Sequence, residues 1–481
     1  MSTLQSIVLA AGHGTRMKSA MPKVLHELCG RPMLLYVIDQ ATTMGVSDPV
    51  VVLGGDIAAT VKPLVPKHVK IAIQAKPLGT GDAVLCAKKT LHGLSGDLLV
   101  LYADVPLVKS TTIHRLVETH RKTGATCTLL TASLADPSGY GRILRNETGA
   151  VAGIVEDTEV HAAHRAIREV NVGPFVCQTS TLMQALAIAR PSSSTKERYL
   201  TQIIGFIARQ EGAKIQTVRV DEAAEAEGVN TRADLARAIG VMRQRIVEAH
   251  LKNGVTIEDP QTAWIDYGVT IGADTVIRPS TVVEHGVSIG KRCAVGPFAR
   301  LRAGVTLADE VRVGSFAELV RTKVGPRVKI NHVSYLGDAV IEEGVNIGAG
   351  TVIANYDGQA KHQTQIGKGA FIGSDTVLIA PVKIGAGAVT GAGSVIPKAH
   401  DVPARGVVVG VPARPLSAHE GSADGHGAPA QVTHGTRGAS KTASTPRLKR
   451  PPVTRAKPRV KPRAGHRGRA RRKTSSTSRR R

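Results

Sequence analysis

The chain has 481 residues, enough for two or three domains each with its own core. Its five cysteines, Cys29, Cys86, Cys127, Cys177 and Cys293, are scattered and form no Cys-x-x-Cys, which argues against a disulfide framework or a zinc site and suits a reducing cytosol. The net charge of +25 suggests a nucleic-acid binder until it is located: between residues 417 and 481 stand 18 Lys and Arg against 2 acidic residues, leaving only +9 for the rest.

No apolar run approaches a membrane span, and residues 1–6 lack the regions of a signal peptide, so a soluble, cytoplasmic protein is expected. From residue 5 to about 228, short aliphatic runs alternate with helix-like stretches, which predicts a sheet with helices on its faces. Residues 6–10, 50–53, 71–74 and 98–101 read as buried parallel strands, and 32–44, 82–89 and 111–122 as the helices between them. Over 231–251 the residues Leu235, Ile239, Met242 and Ile246 recur at three and four, the pattern of one amphipathic helix joining two domains.

Beyond it the period changes. Every sixth residue from Ile271 to Leu319 is aliphatic, and after one-residue slips and an insertion the beat returns at Val324, Ile330, Leu336, Ile341, Ile347 and Ile353, then from Ile366 to Ile384. Six fits neither helix nor ordinary strand and predicts a parallel β-helix in which three short sides make one coil. Gly after the aliphatic residue, as at Ile271-Gly272 and Ile384-Gly385, is expected to turn a corner without Cβ strain. A Val/Gly-rich sandwich would need period-two alternation instead. The last segment, 416–481, interleaves Lys and Arg with Pro, Gly and Ser and carries no Trp, Tyr or Phe. It cannot offset its ordering entropy by burial, so a disordered tail is expected, binding polyanions electrostatically if at all.

The first strand runs into Leu9-Ala10-Ala11-Gly12-His13-Gly14-Thr15-Arg16-Met17-Lys18, then Met21-Pro22-Lys23. A Gly-rich turn can offer backbone N–H groups to phosphate, with Arg16 and Lys23 adding charge. It is neither a Walker A loop nor a dinucleotide fingerprint, and Gly-x-Gly alone is equally a turn with no ligand. The longer string resembles the signature of sugar-phosphate nucleotidylyltransferases, most closely the bifunctional N-acetylglucosamine-1-phosphate uridyltransferase and glucosamine-1-phosphate acetyltransferase family. The resemblance continues through Gln74-Ala75, Leu78-Gly79-Thr80-Gly81, Tyr102-Ala103-Asp104-Val105-Pro106-Leu107, Gly139-Tyr140-Gly141-Arg142-Ile143, Gly153-Ile154-Val155-Glu156, Asn171-Val172-Gly173 and Glu227-Gly228-Val229-Asn230. With the solenoid it covers about residues 5 to 400.

That resemblance implies a Rossmann-like α/β nucleotidylyltransferase domain followed by a left-handed parallel β-helix of hexapeptide repeats. The expected bounds are 1–230, a linker helix 231–251, 252–415 and the tail. By the same resemblance Leu9, Ala10, Ala11, Gly12, Gln74, Gly79, Thr80, Tyr102 and Ala103 would hold UTP, with Lys23 against its phosphates. Asp104 and Asn230 would bind Mg2+, and Gly141, Glu156 and Asn171 would grip the sugar. Phosphoryl transfer needs charge neutralisation and in-line placement, which a hard cation on oxygen ligands suits. Asp104 also follows a strand where open α/β sheets bind ligands, although a solvated carboxylate could end a strand there too. The chain departs from the family at Ala103, where Gly is common, and at Lys76 and Asp82, where Glu and His are frequent.

In the solenoid an island of polar residues includes Arg302, Glu318, Asn331, His332, Tyr335, Asn346, Asn355 and Tyr356. It resembles the family's acetyltransferase site, which implies His332 as general base, Glu318 supporting it, Arg302 on the sugar phosphate and Tyr335 and Asn346 on the sugar. Ala349, Asn355, Tyr356, Ser374 and Ala392 would border acetyl-CoA. Histidine suits proton removal from an attacking amine near neutral pH, though a lone His in a repeat is usually just an exposed coil residue. Val320, where the family has Lys, and Gly410, where some members have Arg, depart from the pattern. The implied function is acetyl transfer followed by uridylyl transfer in a homotrimer, feeding cell-envelope polysaccharide synthesis. Two rival readings are uridylyl transfer alone on a trimerising scaffold, and a polyanion binder acting through its tail.

Overall fold

Strands Leu4–Ala10 and Asp97–Tyr102 lie side by side at the centre of a nine-stranded sheet. The computed structural model describes residues 3–192 and 197–416. Across the sheet the order is Ile215–Arg219, Cys127–Ser133, Glu169–Gln178, Asp97–Tyr102, Leu4–Ala10, Val50–Gly54 and Lys70–Gln74. Neighbours run parallel except Glu169–Gln178, which opposes both of its own. The four strands expected from the aliphatic runs are therefore present and parallel. Helices Met33–Thr43 and Ser110–Thr123 cover one face through Leu34, Val37, Ile113 and Leu116, and Thr80–Ala87 and Thr179–Ile188 cover the other through Val84 and Leu182. From Leu4–Ala10 the chain moves outward through two strands and then returns to the opposite side, so strand order reverses between Leu4–Ala10 and Asp97–Tyr102. A ligand crevice belongs at that reversal.

Helix Arg232–Lys252 starts in a capping box: the Asp234 N–H donates to Thr231 Oγ1 and the Thr231 N–H to Asp234 Oδ2. Its Leu235, Ala238 and Met242 pack with Met17, Leu28 and Tyr36 of the first half, whereas Val247 joins the solenoid core. One helix thus closes two cores. A second junction forms where the Tyr267 N–H donates to the Cys29 carbonyl at 2.9 Å and the Arg31 guanidinium lies over the Tyr267 and Tyr36 rings, 4.7 and 5.3 Å from their centroids.

The solenoid is a left-handed parallel β-helix of very short strands in three ladders. Ile271 pairs with Ile289, eighteen residues on, so each coil holds three hexads; slips shorten two successive coils, as Leu307 pairs with Val324 and Val324 with Ile341, and the insertion at 354–365 lengthens the next, where Ile341 pairs with Ile366. The periodic aliphatic residues fill the bore: Ile277, Val283, Leu301, Leu319, Ile330, Leu336, Ile353 and Ile372 are fully buried. Each such side chain contributes about 1.5–3 kcal/mol. At the far end strand Val407–Gly410 is turned back by Ala413–Pro415 in an antiparallel pair.

The glycines after the aliphatic residue have a different role from the one expected. Gly272 and Gly385 do not adopt positive φ. A Cβ on Gly272 would stand 2.7 Å from the Gly290 carbonyl carbon and Lys291 nitrogen, and one on Gly385 would stand 2.4 Å from the Ala404 nitrogen. Close approach of the next coil excludes a side chain there, while the positive-φ turns fall elsewhere, at residues such as Asp274, Arg292 and Glu310. Gly272→Ala should therefore destabilise the chain by about 1–3 kcal/mol, the scale of overpacking, measured by denaturant unfolding. An unchanged midpoint would show that the coils spread freely. Of the predicted tail 416–481, all but Leu416 lies outside the described residues.

Candidate active sites

At the strand reversal a cleft of about 260 Å³ opens, lined by Leu9, Ala10, Ala11, Gly12, Lys23, Gln74, Gly79, Thr80, Tyr102, Ala103 and Asp104 together with His13, Val24, Pro77, Ala83 and Glu197. Gly14, which ends the Gly-rich turn, has φ +63°, and a Cβ there would strike the Lys23 Cβ at 2.5 Å. The turn thereby packs against the lysine stem. Nearly buried, Lys23 sends its ammonium to Asp104 Oδ2 at 2.6 Å and to Asn230 Oδ1 at 3.1 Å, and Arg16 reaches the same Asn230 oxygen at 3.0 Å. Residues far apart in sequence so converge on one cationic point.

Asp104 and Asn230 already aim oxygen atoms at a common cation, the Lys23 ammonium, which tests whether they fit a metal. Two hard oxygen donors suit Mg2+, which keeps waters and phosphate oxygens as its other ligands. Among the described residues no three His, Cys, Asp or Glu side chains gather into a fuller metal cage. Asn230 is held in place at the start of the joining helix, where its backbone N–H donates to Asp234 Oδ2. Ala103 is buried and has no positive φ, so its methyl group fits where the family often has Gly.

Tyr102 links the cleft to a smaller depression that also contains Asn171 and Thr201. The Asn171 N–H donates to the Gly141 carbonyl at 2.9 Å, and Glu156 Oε2 lies 3.7 Å from where a Gly141 Cβ would stand. Gly141, Glu156 and Asn171 are therefore brought together. Burial pushes the Glu156 carboxyl up, opposed by a short hydrogen bond from the Thr201 hydroxyl, and burial raises the Tyr102 phenol, with the Glu156 and Asp104 charges adding to it. Thr201 was not foreseen, nor was the way residues 197–200 clasp the cleft loop: the Arg198 carbonyl accepts from the Gly81 N–H, and the Leu200 N–H donates to Thr80 Oγ1. These contacts span over a hundred residues and leave no local pattern.

On the solenoid, Glu318 and Tyr335 are register partners on one face, and the Arg302 guanidinium donates to Glu318 Oε1 at 3.1 Å. Glu318, expected to support His332, is thus held by Arg302. His332 is exposed at the edge between that face and the next and makes no side-chain hydrogen bond among the described residues. Ala349, Ser374 and Ala392 continue the same edge on later coils, tied rung to rung by the Gly350 N–H on the Val333 carbonyl, Asp375 on Ala349 and Gly393 on Ser374. Asn346 does not join Tyr335: it pairs with Lys329 and Phe371 on the neighbouring face. Arg321 does not stand in for the lysine missing at Val320, because its guanidinium forks onto Asp338 at 2.6 and 2.8 Å. Buried Asn355 also donates to Asp338, and Tyr356 stays exposed with its hydroxyl on the Gly358 carbonyl.

Residues 6–169 match the family described as MobA-like NTP transferase domain, and 268–303 and 363–398 match the bacterial transferase hexapeptide (six repeats). The chain is 40% identical to the bifunctional protein GlmU of Brevibacillus brevis over 84% of its own length and 94% of that protein. It is 41% identical to the bifunctional protein GlmU of Thermotoga maritima, over 83% and 94%. With that of Mycolicibacterium vanbaalenii the identity is 39%, over 82% and 88%.

Proposed function

The chain belongs to the family of bifunctional GlmU proteins, and from that premise we propose that its two halves divide two reactions between two separate sites. The enzyme makes UDP-N-acetylglucosamine: acetyl passes from acetyl-CoA to glucosamine 1-phosphate, and uridylyl passes from UTP to the resulting N-acetylglucosamine 1-phosphate with release of pyrophosphate. Its cofactor is Mg2+. Residues 1–230 carry uridylyl transfer. The observation that carries this reading is the convergence of Lys23, Asp104 and Asn230 at the strand reversal.

In that cleft a sugar-phosphate oxygen attacks the α-phosphorus of UTP as the bond to the β-phosphate breaks. Gln74, Gly79 and Thr80 seat uracil and ribose, and the N–H groups of the turn at Gly12 with Lys23 meet the phosphates. Asp104 and Asn230 hold Mg2+, which when bound supplies further charge neutralisation to the phosphates. Gly141, Glu156 and Asn171 grip the acetamido sugar.

Residues 252–415 carry acetyl transfer along the edge at His332. Its imidazole takes a proton from the amine as nitrogen attacks the thioester carbon, and CoA leaves as the thiol. Arg302, oriented by Glu318, meets the sugar phosphate beside Tyr335, and the rungs at Ala349, Ser374 and Ala392 run along acetyl-CoA with Asn355 and Tyr356. We infer a homotrimer. Asn346 lies on a different face from Arg302 and Tyr335, and the stacked, exposed Phe298 and Phe316 with Val333 form an apolar strip along the His332 edge that a second subunit would cover.

Omitting glucosamine 1-phosphate, acetyl-CoA, UTP and Mg2+ in turn, while following free thiol and pyrophosphate separately, tests the whole scheme. Pyrophosphate without thiol would leave the solenoid as a trimerising scaffold, and Val320→Lys would be the first change to try. A cytoplasmic location fits a pathway fed by these soluble substrates, and among the described residues no helix is long and apolar enough to cross a membrane. The basic tail binds polyanions and takes no part in catalysis. Truncation after Pro415 should leave both rates within about twofold, since steering by remote charge is mostly screened beyond ~8 Å at physiological salt. Full-length protein should bind DNA with a steep salt dependence and the truncated form should not. A large catalytic loss on truncation would mean that the tail reaches a site.

A further inference from the structure

Gln74 is 5% exposed and lines the cleft. Its amide nitrogen has two N–H groups, and both are used: one donates to the Gly79 carbonyl at 3.0 Å, the other to Asp82 Oδ2 at 3.0 Å. A carbonyl and a carboxylate are acceptors, so only one orientation of the amide satisfies them. The nitrogen faces helix Thr80–Ala87, and the oxygen is left without a partner among the described residues, free to meet a ligand.

An unconstrained primary amide does not choose between pyrimidines, because a half-turn exchanges its donor for its acceptor. Uracil presents an N3–H donor and cytosine an N3 lone pair. Resting on the uridylyl-transfer reading above, we propose that Asp82 is a positioning residue that sets which pyrimidine the cleft accepts, by fixing the Gln74 amide with its oxygen toward the base. That oxygen accepts from uracil N3–H. Against cytosine it faces a second acceptor, and turning the amide would break both of its anchoring bonds at once. The Gly79 carbonyl comes from the backbone, so Asp82 is the side chain on which the choice rests.

The experiment uses the full chain with Mg2+ and N-acetylglucosamine 1-phosphate, measuring pyrophosphate release from UTP and from CTP. Wild type, Asp82→Ala and Asp82→Asn are compared, with thermal unfolding of each. In Asp82→Ala a water in place of the carboxylate can donate as well as accept, which leaves the Gly79 carbonyl as the one fixed acceptor and lowers the cost of turning the amide. The ratio of kcat/KM for UTP over CTP should then fall at least roughly tenfold, chiefly through a lower KM for CTP, for the loss of one hydrogen-bonded constraint. In Asp82→Asn the side-chain oxygen still accepts, and the ratio should stay within about threefold of wild type.

An unchanged ratio in Asp82→Ala overturns the proposal, as does an equal fall in both variants. A lower Tm with both nucleotides slowed alike also overturns it, because Asp82 would then serve only the first turn of its helix. Wild type that transfers nothing from UTP would overturn the uridylyl reading and this inference with it, whereas an active wild type with an unchanged variant ratio removes this inference alone.

Discussion

Asp104→Asn should depress pyrophosphate release by at least about a hundredfold while CoA release stays near wild type. The carboxylate meets the Lys23 ammonium at 2.6 Å and is the only formally anionic member of the Lys23, Asp104 and Asn230 cluster. Amide substitution keeps the shape and one oxygen but removes the charge, so both a cation and the adjoining phosphates lose their counterpart. A hundredfold corresponds to ~2.7 kcal/mol of barrier, within the range for a charge-stabilising group beside a phosphoryl centre. The second activity should be spared because the solenoid ladders contain no residue of the cleft. Equal loss of both activities in a folded protein would contradict the division of labour.

His332→Ala should do the reverse, with acetyl transfer falling by about 10² to 10⁴, the usual scale for removing a general base. Uridylyl transfer from supplied N-acetylglucosamine 1-phosphate should persist. Because His332 makes no side-chain hydrogen bond among the described residues and stands exposed on its edge, its removal should leave thermal stability close to wild type. A fall of less than about tenfold in thiol release, with substrates saturating, would move the base elsewhere on the edge. Together the two variants form a double dissociation that a folding defect cannot imitate.

The β-helix was legible because every inward position must fill the same narrow bore, so each hexad repeats one chemical demand. The glycines at 272 and 385 were legible only in part. A missing Cβ announces that space or torsion is restricted, and only the stacked coils show that the neighbour's backbone makes the restriction. The nucleotide cleft was readable through resemblance, since Lys23, Asp104 and Asn230 are joined by no local period. Long-range contacts stayed hidden: Thr201 on Glu156 and the clasp at 197–200 depend on segments that meet only when the sheet is assembled. Asn346 illustrates a finer failure. It is eleven residues from Tyr335, which is not a whole coil, so the two had to fall on different faces.

A stack of identical rungs has no intrinsic reason to stop growing, and open rungs are templates for further strands from other molecules. This chain covers part of each terminal rung itself. At the first, helix Arg232–Lys252 sends Val247 into the bore; at the last, Val407–Gly410 is paired antiparallel with Ala413–Pro415, which reverses the chain where a parallel continuation would add another copy. Pro412 and Pro415 carry no N–H to offer an incoming strand. The hairpin after the final coil therefore covers the last edge of that ladder, the place where another molecule would otherwise add a strand.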